Sequence, residues 1–427
     1  MTPSTIFIII LTIICADFLL KNWLTLLNLT GLSAALPPEL SDVYDGEKYL
    51  QSQRYERVST RFGLIVSFFN LIVILLMLSL GGFAAVDRLA ASVSGHFILH
   101  PLIFFAILVF GLELMNMPFS VYSTFVIEEK FGFNKTTRSL FVADTLKNIL
   151  LTAVFGGGIL ALIIWFYGFT AEWFWVWAWG LASAFMLFMA VFYSSLIVPL
   201  FNKQTLLEDG ELKDAITQYS DRAGFHLDRI YTIDGSKRST KANAYFSGLG
   251  RKKRIVLFDT LIKELTLDEI VAVLLHEIGH YKKKHVITSI ILSIIQTGIT
   301  LFILSLFISQ PALSQALGAT GACFHIGLIA FGILYNPISV IVGLGLNVLS
   351  RKHEYQADTF AARFGMARGL ISALKKLSRN NLSNLTPHPF YVFFHYSHPA
   401  LLQRIRALNQ YLQDNKFGQS SSQATII

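Results

Sequence analysis

Read for polarity alone, the chain alternates between long apolar blocks and shorter polar ones. Seven apolar runs reach the roughly 20 residues that a helix needs to cross a bilayer. They cover residues 4–27, 62–86, 97–121, 149–169, 173–201, 286–309 and 323–349. The first run contains Asp17 and Lys21, and Lys21, its first basic residue, follows the apolar core. A cleaved signal peptide has the opposite order, so this run is expected to remain as a span. Two polar stretches interrupt the pattern, 202–285 after the fifth span and 350–427 after the seventh. Neither is a complete domain, but together they make about 160 residues, an ordinary domain size. The expected organisation is therefore spans one to five in 1–201, the first part of a polar domain in 202–285, a two-span excursion in 286–349 and the second part of the domain in 350–427.

Within the first polar stretch, NAYFSG (243–248) and RIVLF (254–258) read as short strands joined by the glycine-containing turn LGRKK. RIVLF, placed just before the next helix, is the strand expected to pair with an extended ligand. That helix is announced by Thr266 with Glu269 three residues on, a capping box, and by the apolar run that follows. In the second stretch, SRKHEYQADTFAARFG reads as a helix that ends at Gly365.

Composition sharpens the picture. The 427 residues are 53% hydrophobic and 15% charged, against about 25% charged in an average soluble domain. The chain is an integral membrane protein. Of the 35 Lys and Arg residues, 33 fall in the segments 28–61, 122–148, 202–285 and 350–427, all on one side if seven spans alternate. The positive-inside rule then puts the N-terminus outside and the polar domain in the cytoplasm. The net charge of +8 is explained by this bias and by anionic lipid, with no nucleic-acid partner. The run Arg251-Lys252-Lys253-Arg254 is a solvated turn on this reading. Cys15 and Cys323 lie at or inside apolar runs and are expected to be buried thiols, not a disulfide. Glu113, Asn116 and Gln296, inside spans, fit either a water-filled chamber or hydrogen bonding between packed helices. Asn336-Pro337 suggests a kink.

The candidate chemistry sits in LLHEIGHYKKKH. His276 and His280 are one helical turn apart on the same face, the spacing that lets two imidazoles hold one zinc ion, and Glu277 stands where HExxH enzymes keep their general base. A catalytic zinc takes a third protein ligand and leaves one position open. His285 is nine residues past His276, which on a continuing helix faces away and makes it a helix-end cation. Glu354 is the better third ligand, and Asp358, one turn later, is placed to accept a hydrogen bond from the other nitrogen of a ligand histidine. His353 points about 100° away from Glu354 and ranks lower.

These residues resemble the integral-membrane zinc CAAX prenyl protease family, the seven-span type. The likeness extends over FVIEEKFGFNKTT (125–137), PLFNK (199–203), IDGSKRSTKANAYFSG (233–248), KRIVLFDTLI (253–262), HEIGH, SRKHEYQAD and SHPALLQRI (397–405). It implies a mainly α polytopic fold in which seven helices enclose a hollow chamber, with a gluzincin-like α+β domain opening into it. It implies one zinc ion held by His276, His280 and Glu354, with Glu277 as base. It further implies that Asn243, His398 and Arg404 line the cleft near the scissile bond, although the last two alone would read as a helix start with an exposed basic residue. The expected substrate is a prenylated or otherwise membrane-delivered peptide, cut near its C-terminus without an acyl-enzyme. Two other readings were weighed. A heat-shock-type membrane zinc protease has fewer spans and lacks the SHPALLQRI segment. A non-catalytic channel or clearance factor with a structural zinc would not need Glu277. The ending SQATII carries no retrieval signal of the endoplasmic reticulum, which makes a bacterial inner membrane the expected location.

Overall fold

The computed structural model describes residues 1–33, 36–225, 227, 229–247 and 254–423. Among them, seven helices are long and apolar enough to cross a membrane. They are α1 (Pro3–Thr30), α2 (Gly46–Ser79), α4 (Leu99–Glu128), α5 (Arg138–Thr170), α6 (Phe174–Phe201), α9 (His285–Phe307) and α10 (Phe324–Arg363). The remaining major helices are α3 (Gly82–Val93), α7 (Glu211–Arg222), α8 (Leu267–Lys282), α11 (Ala367–Asn380) and α12 (Leu401–Gln423). Four strands, β1 (Gln204–Leu206), β2 (Ile230–Ile233), β3 (Ala244–Ser247) and β4 (Arg254–Phe258), form one sheet. The turn LGRKK and the basic residues 251–253 lie outside the described residues.

The spans do not pack into a solid bundle. Only 6–22% of each span's apolar window is buried by the rest of the protein. A cavity of about 1390 Å³ lies among α5, α6 and α9, so these helices stand around a hollow. Polar groups bridge them where they meet: Asn336 Nδ2 donates to Asp17 Oδ1 at 3.1 Å, and Asn116 faces Asn70 at 3.4 Å. Of the polar span residues singled out, Asn116 takes the helix-bridging role, while Glu113 is exposed and Gln296 half-buried. Cys15 is exposed on α1 and Cys323 is half-buried; neither is in a disulfide. The protein itself therefore does not bury Cys15, and it covers Cys323 only in part. The run 62–86 is also not one helix: Gly81, at φ +65°, turns the chain between α2 and α3, a left-handed conformation that costs glycine little. α10 runs through Pro337 without interruption.

The polar domain is layered on the sheet. Ile255 and Leu257 of β4, Val271, Leu275 and Ile278 of α8, Ile216 of α7, and Ala361, Leu370 and Ala373 of α10 and α11 share one core. Each buried aliphatic of this size contributes about 1.5–3 kcal/mol. The sheet order is β1-β2-β4-β3, with β4 parallel to β2 and antiparallel to β3. RIVLF therefore has both edges occupied, which rules it out as the strand that receives an extended ligand. The parallel pairing to β2, invisible to local pattern, is what moved it inward. Among the described residues β1 and β3 are the edge strands, and β3 is the one beside the segment that carries Asn243. The segment before β3 is pinned to the membrane helices. Arg238 grips Asp144 of α5 with two bonds, at 2.8 and 2.9 Å, and Lys241 Nζ reaches Glu128 of α4 at 3.0 Å.

Candidate metalloprotease site

The site is built where α8 crosses α10. The start of α8 is held by Glu269, whose Oε2 accepts from the Thr266 backbone N–H at 2.8 Å and whose carboxylate also takes Ser372 and Lys376 of α11 at 2.6 and 2.8 Å. Burial of Glu269 opposes its ionisation, but these donors outweigh it and hold the carboxyl below the usual range. Farther along, Gly279 lets the two helices touch. A Cβ there would lie 3.0 Å from Ala357 Cα and 3.1 Å from Phe360 Cβ. The close approach brings His276 and His280 onto the face of α10 that carries Glu354 and Asp358. α10 then ends as expected, in a Gly365 at φ +82°.

His276 Nε2 and His280 Nε2 face each other at 3.1 Å. Glu354 completes the triangle, with Oε2 3.5 Å from His276 Nε2 and Oε1 3.3 Å from His280 Nε2. Ligands about 2.0–2.1 Å from a tetrahedral zinc ion lie about 3.3 Å apart, so these three edges fit such an ion. The chemistry of the donors agrees. Glu354 Oε2 is buried without a hydrogen bond, its cationic neighbour Arg404 Nη1 standing at 3.4 Å, so a lone pair remains for a metal ion. Burial of His276 disfavours its protonated form, yet its hydrogen bonds to Asp358 and Glu354 outweigh that and raise its pKa to about 9. The pocket demands positive charge, which a dication would supply.

Each imidazole is oriented from behind. His276 Nδ1 lies 2.8 Å from Asp358 Oδ1, the contact foreseen from the spacing. Asp358 in turn is clasped by Arg404 through two bonds, Nε at 2.8 Å and Nη2 at 2.5 Å. Arg404 is only 8% exposed, and its Nη1 lies 3.4 Å from Glu354 Oε2. It packs against the two carboxylates, which removes the exposed-cation alternative. Burial of the guanidinium works against its charge, but Asp358 and Glu354 outweigh it and raise its pKa further.

His280 is braced by a residue that spacing had dismissed. α8 ends at Lys282 and Lys284 turns left-handed, at φ +60°. His285 thus opens a new helix and folds back: its Nδ1 lies 3.0 Å from His280 Nδ1 and its Nε2 2.8 Å from Gln356 Oε1. A chain of N–H donors from His280 through His285 to Gln356 leaves His280 Nε2 free as a ligand. His285 is buried, not a helix-end cation. The lysine run at 282–284, a helix-end signal, was the available clue. His353 lies off the ligand triangle and stacks on His285 at 3.9 Å between centroids.

In front of the triangle opens a cavity of about 1390 Å³. Glu277, Asn243 and His398 line it from the polar domain, and Asn148, Met186 and Ser293 from spans α5, α6 and α9. The His398 side chain is 63% exposed and its Nε2 lies 3.2 Å from Glu354 Oε1; Ser397 Oγ contacts its other nitrogen at 3.0 Å. Asn243 is exposed on the cavity wall, and its Oδ1 accepts from the Ala244 N–H at 2.8 Å.

A helix-borne pair of histidines, a glutamate from a second helix, an acid beside the first histidine and a cavity among membrane helices define a membrane-embedded zinc metalloendopeptidase. Comparison with known proteins agrees. A family model described as the CAAX prenyl protease N-terminal region with five membrane helices matches residues 26–203, and one for peptidase family M48 matches residues 206–412. The chain is 36% identical to CAAX prenyl protease 1 of Saccharomyces cerevisiae, with 94% of each protein covered. It is 36% identical to an Arabidopsis thaliana homologue, covering 92% of this chain and 95% of that protein. The crystal structure of S. mikatae Ste24p superposes with a TM-score of 0.89 at 35% identity, over 94% of this chain and 99% of that one. The chain belongs to the M48 family of membrane zinc CAAX prenyl proteases.

Proposed function

We propose that this protein hydrolyses a peptide bond near the C-terminus of prenylated peptides, with the polar domain on the cytoplasmic side of the membrane. The observation that carries this reading is the continuity of the cavity: one hollow borders Glu277 and the ligand triangle and reaches between α5, α6 and α9. A peptide with a lipid on its cysteine can keep the lipid among apolar spans while its backbone lies at the polar end. The basic residues, 33 of 35 on one side, support the cytoplasmic orientation. The expected bacterial inner membrane draws no support from the relatives described, which are yeast and plant proteins.

His276, His280 and Glu354 would hold the zinc ion. The chemistry such an ion supplies is activation of water and polarisation of a carbonyl. Glu277 accepts the proton of the attacking water and passes it to the departing amine. Asn243 and His398 donate hydrogen bonds to the oxygen on which charge develops. Asp358 keeps the Nδ1 proton on His276, and Arg404 acts only through Asp358 and Glu354, as a positioning residue. The free edge of β3 is the place for the substrate backbone to pair as an added strand.

Purified protein should cleave a farnesylated CAAX peptide well and its unprenylated twin poorly, and Glu277→Ala should cleave neither. Equal turnover of the two peptides by wild type would make it a general peptidase.

A further inference from the structure

At the other end of α10 stands a second cluster of metal-binding side chains. His325, the second residue of α10, is 29 positions before Glu354, which along a helix is about 44 Å, the full depth of a bilayer. It is 3% exposed. Its Nε2 lies 2.6 Å from Asp87 Oδ1, on α3. His100, in the first turn of α4, reaches the same oxygen with its own Nε2 at 2.8 Å. The two rings meet edge to face with centroids 4.8 Å apart, and ligand atoms from all three residues lie within 4.8 Å of one another. Cys323 Sγ is 3.2 Å from His325 Nε2. Its backbone is fixed by buried Ser314, whose hydroxyl accepts from the Cys323 N–H at 3.0 Å and donates to its carbonyl at 3.1 Å. Phe104 packs on the His325 ring at 4.5 Å between centroids and closes the apolar side.

Two imidazoles and one carboxylate that converge from three separate helices are a donor set for zinc and its first-row neighbours. The peptidase mechanism uses none of them. We propose that Asp87, His100 and His325 form a second site for a zinc-class divalent ion, with Cys323 alongside as a further donor, and that the ion ties together the ends of α3, α4 and α10 on the membrane face opposite the protease domain. Without an ion the same groups satisfy one another, since both histidines donate to Asp87. Metal content therefore separates the two cases.

The measurement is zinc per chain by mass spectrometry, on full-length protein in detergent after equilibration with micromolar zinc chloride and gel filtration. Wild type is expected to hold two ions. Asp87→Asn and His100→Gln should each hold one and retain peptidase activity within about twofold. His280→Ala should hold one and lose activity, which ties the other ion to the active site. One ion in wild type overturns the proposal, whatever the variants do. Two ions in wild type that persist in both Asp87→Asn and His100→Gln overturn it as well.

Discussion

The two ends of α10 carry the same donor types, two imidazoles and a carboxylate, in opposite settings. At Glu354 the donors border a cavity of about 1390 Å³, and a further acid, Glu277, shares that wall. Both ligand histidines are also held from behind, His276 by Asp358 and Arg404, His280 by His285 and Gln356. At His325 the donors bond to one another, an aromatic ring packs on them, and among the described residues no additional carboxylate is part of the cluster. The lesson is that ligand identity does not make a hydrolase. What distinguishes the first cluster is a base, Glu277, that borders the same cavity as the ligands, next to histidines whose far nitrogens are each held by a second residue.

The contrast is broken most directly at Glu277. Glu277→Gln should lower kcat by about 10²–10⁴-fold and leave zinc content unchanged, whereas Asp87→Asn should leave kcat nearly intact. Retained activity in Glu277→Gln would erase the functional difference between the ends. Arg404 comes next. Arg404→Ala strips the partner from two buried carboxylates, Asp358 and Glu354, and should cost about 3–5 kcal/mol of stability by denaturant or thermal unfolding. Arg404→Lys restores charge without the two-pronged grip and should recover only part of it.

Asp358→Asn tests the bracing of His276 itself. It should weaken zinc binding about 10–100-fold in chelator competition without removing a ligand. No change would mean that the 2.8 Å contact does not orient the ring. The smallest effect is expected at Glu269. Its carboxyl is held below the usual range, so its contribution is complete above the unfolded value of about 4.3 and is lost as pH falls through the lower folded value. Glu269→Gln should therefore be less stable than wild type by about 1–2 kcal/mol near pH 7. The two curves should converge as pH falls through that lower folded value. A gap that stays constant with pH would assign the loss to packing.

Much of this site is legible along the chain because helical spacing is a local rule. Four residues between His276 and His280, and between Glu354 and Asp358, put each pair on one face wherever the helices go. The hydrophobic runs likewise announce seven spans. His285 was misjudged because its position depends on whether α8 continues. The left-handed turn at Lys284 reverses a conclusion that rested on counting 100° per residue. Arg404 was placed at the cleft by resemblance, but its surroundings are set by Asp358, 46 residues away. β4 lost its free edge to β2, a partner across a parallel pairing that leaves no trace in local alternation.

What the sequence by itself determined is therefore whatever repeats along one backbone: membrane crossings, the asymmetry of basic residues, the capped helix and the two donor pairs. Only the tertiary structure decided which of those pairs meet, how closely Gly279 lets them approach, and that His285 and Arg404 stand behind the ligands. It alone also brought Asp87, His100 and His325 together. His325 is 238 residues from Asp87, and a contact of that range arises from packing of whole helices, which no local period encodes.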